Sequence, residues 1–381
     1  MNNVFVSGIG QVPVQEHWDK SIKEIAGDAA LAAMEDWGQG YPQAIFVGNM
    51  MAGSANKQFQ FSNLLADWLG FSKKESLGVE TACSSGAMAF RSALLAIAAG
   101  ELDSALVVGV EKMTDSPSSE IAASLATAAD AELEFEFGLS FVSINALVMQ
   151  RYMYEYGWKN EDFAAFSINA HSNGIYNPYA RFQKAINVED YNSAGMISNP
   201  INLMDASPIG DGAAAIILTS DSRDSQTKIR VVGSASATDT ISVQARKNPT
   251  WLQAAEFSAK QAYSQAGLIP SQINLFESHD AFSIMAALSL ESSGFCAPGE
   301  APKLANEGKI RFDSDIPVST FGGLKARGHP VGATGVYQLV EVTKQLRWDA
   351  GVTQVENARV GMAQNIGGSG SNITTHILVR E

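Results

Sequence analysis

Hydrophobic and polar residues follow two patterns along this chain, one typical of short buried strands and the other of amphipathic helices. Short apolar runs such as AIFVG at 44–48 end at a glycine, and longer stretches such as 59–70 repeat apolar residues every three or four positions. This alternation predicts an α/β fold around a mostly parallel sheet. The elements predicted before residue 112 are a strand at 4–10, a helix at 20–36, a strand at 44–48, a helix at 59–70, a helix after Cys83 and a strand at 104–111.

The stretch 112–208 breaks this pattern. It is rich in Ala, Ser, Asn and Tyr, so we interpret it as a loop-rich insertion that carries a few helices. The alternation returns after it. The elements predicted there are strands at 211–221 and 229–237, a helix at 251–267, a strand at 273–282, a helix to about 294, a glycine-rich turn at 322–335, a helix at 336–347 and strands at 358–364 and 373–379.

The two halves of the chain share a weak sequence echo. CSSGAMAF, which starts at Cys83, places small residues before a buried helix, and GHPVGATGVYQL does the same from Gly328. The echo predicts a duplicated αβ unit in which two helix N-termini face each other. The predicted domains are an N-terminal half at 1–222, which includes the insertion, and a C-terminal half at 223–381.

The formal charge is −14, from 26 basic and 40 acidic residues. Such an acidic chain is a poor candidate for binding nucleic acid or an anionic membrane. The sequence shows no signal peptide and no apolar run of membrane-spanning length. Its two cysteines lie far apart and do not form a disulfide framework, so we expect a reducing, cytoplasmic location.

Cys83 is the first candidate for chemistry. A lone buried cysteine usually acts as a small hydrophobic residue, and that interpretation stays open. However, Cys83 directly precedes a long apolar helix, where free backbone N–H groups and the helix dipole favour a thiolate. Its neighbours are small, so a substrate has room to approach. Cys296 has no such setting, and we take it to be structural or incidental.

Two histidines are candidate partners for that cysteine. His329 lies in the glycine-rich turn at 322–335, whose backbone is able to approach a ligand. His279 follows a predicted buried strand, and ligand-binding groups of open α/β sheets lie at the carboxyl ends of strands. A histidine is the usual group that deprotonates a cysteine. The alternatives are an incidental imidazole at position 329 and a hydrogen-bonded core histidine at position 279.

The glycine turn at 365–372 is the last candidate element. A backbone N–H aimed into a cavity from such a turn is able to stabilise an oxyanion, although glycine turns are common and the signal is weak by itself. No glycine pattern matches a nucleotide-binding loop, and the five histidines show no metal-ligand spacing. Neither a nucleotide cofactor nor a metal is therefore expected.

Taken together, the motifs resemble the thiolase family over essentially the whole chain. The resemblance implies two duplicated βαβαβαββ halves in a layered α-β-α-β-α body, with a loop domain interrupting the first half. It also implies a homodimer or a homotetramer. The motifs are, in order, TACSSG around Cys83, DASPIGDGAAA at 205–215, ESHDAF at 277–282, GGLKARGHPVGATG at 322–335 and NIGGSGSN at 365–372.

The resemblance also implies roles for individual residues. Cys83 is similar to the nucleophile that takes the acyl group from acyl-CoA, and His329 is similar to the histidine that activates it. Backbone N–H groups of Cys83 and Gly367 would form the oxyanion hole for the acyl-enzyme. His279, together with His329, would polarise the thioester carbonyl of the second acyl-CoA. The residues implied in substrate binding are Ser207, Phe282 and Gly368.

The sequence departs from the family at the second catalytic cysteine. Most thiolases carry it in a Cys-x-Gly motif, where this chain has Asn365, and an amide does not act as a base. Sterol-carrier-protein thiolases carry it in His-Asp-Cys-Phe, where this chain has Ala281. We therefore assign removal of the α-proton to His279, because neutral imidazole suits proton transfer near pH 7. Asn365 receives no proton-transfer role.

These features are most similar to the archaeal-type branch of the family. That branch implies acetyl-CoA C-acetyltransferase activity: a reversible Claisen condensation of two acetyl-CoA to acetoacetyl-CoA and CoA through an acetyl-cysteine. It also implies a possible complex with hydroxymethylglutaryl-CoA synthase and a small OB-fold, zinc-ribbon protein. Coenzyme A thioesters are the expected substrates, with no other cofactor. We expect Lys325 and Arg327 to be solvated at the surface.

Two other functions remain open from the sequence. The first is a thiolase-like carbon–carbon lyase, a retro-aldolase that dispenses with the acyl-cysteine. The second is an acyl-CoA-binding scaffold subunit of a condensing complex, with little activity of its own. An intact Cys83 argues against the lyase, and the missing second cysteine is the only support for the scaffold.

Overall fold

The computed structural model describes residues 2–221 and 227–381. The predicted domain boundary between residues 222 and 223 lies outside the described residues. The elements of the N-terminal half are β1 (Phe5–Gln11), α1 (Ile22–Trp37), β2 (Ala44–Gly48), α2 (Phe61–Trp68), β3 (Glu75–Val79), α3 (Ser85–Ala99), β4 (Ser104–Glu111), α4 (Ser118–Ala126), α5 (Phe141–Tyr156), α6 (Ala164–Gly174), α7 (Val188–Asn192), β5 (Met196–Ser198), β6 (Ile201–Asn202) and β7 (Gly212–Thr219).

The C-terminal half repeats the strand and helix order of the first half. The predicted long strand at 273–282 is much shorter than expected, because the chain leaves the sheet at Glu277, before the HDAF motif. The elements are β8 (Ile229–Thr238), α8 (Gln253–Ala266), β9 (Leu275–Glu277), α9 (Ser283–Ser292), α10 (Ala301–Asn306), α11 (Thr334–Arg347), β10 (Val360–Gly367) and β11 (Asn372–Arg380).

Nine strands join into one mixed sheet in the part of the chain that the structure describes, in the order β3-β2-β4-β7-β1-β8-β11-β10-β9. From the centre outward, the first half contributes β1, β7, β4 and β2. The second half contributes the corresponding strands β8, β11, β10 and β9. In the first half, β3 pairs with the outer side of β2 and forms the edge of the sheet. In the second half, a single bridge between Phe276 of β9 and Val318 stands in the position of that strand. The α/β class and the duplicated fold predicted from the sequence are confirmed. The prediction of a mostly parallel sheet is wrong, because three of the eight neighbouring strand pairs are parallel and five are antiparallel.

Helices α3 and α11 form the middle layer between the strands of the two halves. Helix α11 contacts β7 and β4 of the first half as well as β10 and β9 of the second. On the outer faces, α1 packs against β1 and β7, and α8 packs against β8 and β11. Strand β1 of the first half pairs with β8 of the second through Phe5 with Arg230 and Val6 with Ile229. The layers therefore run α-β-α-β-α, and the middle layer holds the halves together.

The insertion between β4 and β7 is more helical than predicted. Four helices, α4 to α7, and the short β5-β6 pair account for much of it. Its helix α6 contacts the turn at Gly323–Arg327, so the insertion lies against the glycine-rich segment of the other half. This contact places the insertion over the candidate site.

Helix α3 corrects the expectation about membrane-length apolar runs. The segment Ala82–Ala99 is long and apolar enough to cross a membrane by composition, with a mean hydropathy of 1.4. It is, however, a core helix, because it packs against β2, β4 and α11. Its apolar residues reflect burial in the middle layer.

The approach of α3 and α11 depends on glycine. A Cβ at Gly335 would lie 2.6 Å from the Ala87 nitrogen of α3, and nearby backbone leaves no space for it. We expect Gly335→Ala to lower the free energy of unfolding by about 1–3 kcal/mol, the usual cost of overpacking. Urea unfolding followed by circular dichroism measures this change.

The matched control for that substitution is Gly195→Ala. No atom lies within 4 Å of a Cβ built at Gly195, so the unfolding midpoint should stay where it is. Equal effects of the two substitutions would show that the helix contact is not tightly packed.

Candidate active site

A large cavity of about 1090 Å³ opens between the two halves and the insertion. Its lining is mainly apolar, with a few polar groups from loops that end near α3 and α11. The predicted site residues converge here from distant parts of the chain. Those that line the cavity are Cys83, Ser207, His279, Phe282, His329 and Gly368.

Cys83 is presented on a constrained turn at the start of α3. Ala82, the residue before it, has a φ of 53°, a left-handed conformation that is costly for a residue with a Cβ. The turn is held by the Ser84 hydroxyl, which donates to the Thr81 carbonyl over 2.7 Å and to the Asn372 side chain over 2.9 Å. The sulfur is therefore fixed in position before substrate arrives.

The electrostatic setting of Cys83 differs from the sequence expectation of a thiolate. Burial, and after it the charge of Glu111, raise the pKa of the Cys83 thiol to about 12. The backbone N–H groups of Cys83 and Gly368 act in the opposite direction but do not compensate. In the unliganded site the residue is thus a thiol, and its activation requires a base.

Glu111 is a site residue that the sequence analysis missed. It ends β4 and is fully buried, which raises its pKa to about 7. Its carboxylate accepts N–H bonds from Met50, Met51 and Gly332 over 2.9 to 3.0 Å. Because Gly332 belongs to the second half, this carboxylate links the nucleophile's half to the loop that carries His329. A charged residue at the end of a buried, mainly apolar strand was the available signal.

His329 is oriented by the first residue of α11. Its Nδ1 lies 2.7 Å from the Thr334 hydroxyl, and that hydroxyl donates to the Pro330 carbonyl over 3.1 Å. The hydroxyl oxygen therefore accepts the Nδ1 proton of His329, which leaves the Nε2 lone pair free for the cavity. Burial, and after it His279 and Arg327, hold the pKa of His329 well below its usual value, so the ring is neutral.

His279 completes the arrangement from the loop between β9 and α9. Its ring stands at 88° to that of His329, with the ring centroids 5.1 Å apart. The Cys83 sulfur and one nitrogen of each ring lie within 4.8 Å of one another. Burial lowers the pKa of His279 to about 3, so this imidazole is also neutral. A thiol and two imidazoles are also a donor set that zinc accepts, and the predicted absence of a metal stays a prediction.

The structure bears on the oxyanion role predicted for Gly367. Gly367 is the last residue of β10 and packs against the Thr81 carbonyl and the Ser84 hydroxyl, where a Cβ would collide. It does not line the cavity, whereas Gly368 does, with its N–H directed to the Cys83 sulfur. The N–H group beside the sulfur is that of Gly368, and the oxyanion role of Gly367 stays a prediction.

The expectation that Lys325 and Arg327 are solvated at the surface is wrong. Arg327 is fully buried and pairs with Glu341 over 2.8 Å. Lys325 is buried too, and its ammonium donates to the Ala206 carbonyl over 2.7 Å. Burial lowers the pKa of Lys325 to about 8. Both cations therefore hold the loop before His329 in place from inside the protein.

Ser207 and Phe282 enter the cavity on two segments that pair with each other. The Ser207 N–H donates to the Ala281 carbonyl over 2.9 Å, and Ala206 forms a bridge with Phe282. The segment that carries the predicted substrate-binding serine is thus attached to the His279 loop. Any substrate that touches one segment is positioned relative to the other.

Comparison with known proteins identifies the class to which this fold and site belong. Residues 8–222 match the family model for the thiolase N-terminal domain, and residues 235–380 match the one described as thiolase C-terminal domain-like. The chain therefore belongs to the thiolase family. Within that family it is an acyltransferase enzyme, as its relatives indicate.

Two curated relatives span the whole chain. The acetyl-CoA acetyltransferase of Methanothermobacter thermautotrophicus is 43% identical and covers 100% of both chains. That of Methanocaldococcus jannaschii is 36% identical and covers 99% of both. Among solved structures, "Ltp2-ChsH2(DUF35) aldolase" has a TM-score of 0.87 at 22% identity, covering 99% of this chain and 98% of that one. At that identity, the likeness concerns the fold alone.

Proposed function

We propose that this enzyme catalyses the reversible Claisen condensation of two acetyl-CoA to acetoacetyl-CoA and CoA. The observation that carries the proposal is the meeting of the Cys83 sulfur and two neutral imidazoles within 4.8 Å, at a cavity large enough for an acyl-CoA arm. Two full-length relatives named acetyl-CoA acetyltransferase support the choice of acetyl-CoA.

In the first half-reaction, Cys83 takes the acetyl group. Neither a free thiolate nor a free imidazolium is stable in this buried setting, so proton transfer to Nε2 of His329 accompanies attack on the thioester carbonyl. In this proposal the N–H of Gly368, which lies next to the sulfur, stabilises the carbonyl oxygen as negative charge develops on it. The CoA thiolate leaves and takes the proton from His329.

In the second half-reaction, a second acetyl-CoA loses an α-proton to a neutral imidazole. The resulting carbanion attacks the acetyl carbonyl on Cys83, the carbon–sulfur bond breaks, and the sulfur recovers the proton. A hydrogen-bond donor near the thioester oxygen lowers the barrier, because negative charge develops there as the proton leaves. The hydrogen bonds that His279 and His329 make with the protein decide which ring donates a hydrogen bond to the thioester oxygen and which ring accepts the α-proton.

The substrates and partners implied by the sequence remain part of this proposal. Acyl-CoA thioesters are sufficient for the reaction, with no other cofactor, and a cytoplasmic setting would keep Cys83 reduced. We expect a homodimer or homotetramer. A complex with hydroxymethylglutaryl-CoA synthase and a small OB-fold, zinc-ribbon protein is also proposed. The name of one protein of similar fold, Ltp2-ChsH2(DUF35) aldolase, joins that protein to a DUF35 partner.

Mass spectrometry after brief exposure to acetyl-CoA tests the proposal. One acetyl group should appear on the peptide that contains Cys83 and disappear when free CoA is added. Acetoacetyl-CoA should accumulate only while CoA is removed. The absence of this adduct, combined with cleavage of a CoA-linked aldol, would replace the proposal with the lyase. The absence of both activities would favour the scaffold.

A further inference from the structure

Gln338 has its side-chain orientation fixed by the backbone around it. It lies in α11 and is buried, and its Nε2 donates to the carbonyls of Glu277, Ser278 and Gln364 over 3.2, 2.8 and 3.0 Å. Carbonyl oxygens only accept, so the nitrogen of this amide must face them. The Gln338 Oε1 atom consequently points the other way as an acceptor.

Asn365 is oriented in turn by Gln338. Its Nδ2 lies 2.9 Å from Gln338 Oε1 and 3.0 Å from His279 Nδ1. A reversed amide would place two acceptor oxygens against each other, so the nitrogen must occupy this position. One N–H of Asn365 is then directed to Gln338 and the other to His279. The residue that stands in place of the second cysteine is thus a hydrogen-bond donor to the catalytic imidazole.

We propose that Gln338 and Asn365 are positioning residues that hold neutral His279 with its proton on Nε2. A ring nitrogen that accepts a hydrogen bond has no proton of its own, so Nδ1 is bare and the single proton sits on the nitrogen left for the cavity. His279 therefore donates to the thioester oxygen and stabilises the enolate. This assignment, which rests on the proposed function, keeps the polarising role that the resemblance implied for His279 and replaces its assignment as the α-proton base.

The base that remains is His329. The Thr334 hydroxyl accepts its Nδ1 proton, so its Nε2 offers a lone pair. The α-proton passes to that nitrogen, and the electron pair it leaves forms the bond to the acetyl carbon on Cys83. The carbon–sulfur bond breaks, and the proton returns from His329 to the sulfur. One imidazole thus accepts a proton in both half-reactions, and the other donates a hydrogen bond.

Nitrogen NMR of the enzyme with isotope-labelled histidine tests the tautomer directly. The His279 signals, identified by their loss in His279→Asn, should show a protonated Nε2 and a bare Nδ1. A protonated Nδ1 would overturn the proposal. Asn365→Asp replaces the donor with an acceptor, so the His279 proton should move to Nδ1. The matched control is Gln364→Glu, a buried amide on the same strand whose side chain bonds Ser293 and Thr375, and it should leave these signals unchanged.

Deuterium exchange into the methyl group of acetyl-CoA tests the roles kinetically. His279→Ala should slow exchange by about 10²–10³-fold, the usual cost of losing an oxyanion donor. His279→Asn keeps a donor without a base and should recover at least about tenfold of that loss. Equal loss in both variants would identify His279 as the base. Acetylation of Cys83 is measured separately, so failure of this proposal leaves the proposed function intact, while a missing acetyl adduct would count against that function alone.

Discussion

Cys83→Ala is expected to abolish both acetylation and condensation. The variant has no sulfur to take the acetyl group, and the removal of an enzyme nucleophile costs about 10⁶-fold in rate. The small side chain fits the same turn, since Ser84 and Asn372 hold that turn independently of the sulfur. Acetoacetyl-CoA formation, followed by absorbance, and the acetyl adduct, followed by mass spectrometry, should disappear together.

The second cysteine offers a matched control for this variant. Cys296 is half-buried beside the core of the C-terminal half, away from the cavity. Cys296→Ala should therefore retain wild-type turnover and acetylation of Cys83. Condensation by Cys83→Ala at close to the wild-type rate would contradict the covalent mechanism.

His329→Ala is expected to slow acetylation of Cys83 by about 10²–10⁴-fold, the range for loss of a general base. It should also change the pH dependence. In the wild type, the pKa of His329 lies well below 6.5, so the ring is able to accept a proton throughout the neutral range and the rate is nearly flat. In the variant, the rate follows the thiolate fraction, which rises about tenfold per pH unit below the thiol pKa of about 12. Stopped-flow acetylation between pH 7 and about pH 9.5 measures both slopes.

His376→Gln provides the comparison for that experiment. His376 is a buried neutral imidazole that packs edge-on against Phe90 and does not line the cavity. Its replacement should leave the flat profile unchanged, even if the protein becomes less stable. A flat profile in His329→Ala would assign activation of the thiol to another group.

Buried apolar strands were readily predicted from the sequence. The bounds of β2 and β4 match the predictions at both ends, because every residue of these strands is buried and apolar runs stand out against their neighbours. The missed strand β3 has the opposite character. It lies at the edge of the sheet, none of its five residues is buried, and only two of its side chains are apolar, so no buried apolar run marks it in the sequence.

The sequence predicted which residues make up the candidate site, but it did not predict their burial or their protonation states. Motifs located Cys83, His279 and His329, since each follows a recognisable turn or strand end. Burial of Arg327 depends on Glu341, and the orientation of His279 depends on Asn365, which is 86 positions away. Such pairs form only through tertiary packing, which a pattern along one chain does not reveal. The same packing removes water from Cys83 and turns an expected thiolate into a thiol.

The close contact between α3 and α11 bears on how this enzyme fails on heating. The nucleophile comes from one half and both imidazoles from the other, and a displacement of about 1 Å between reacting groups is enough to slow an enzyme about a hundredfold. A small displacement of α3 relative to α11 would therefore stop turnover while every strand and helix stayed formed. We therefore expect thermal inactivation to begin at the contact between α3 and α11, before the far-ultraviolet circular dichroism signal changes.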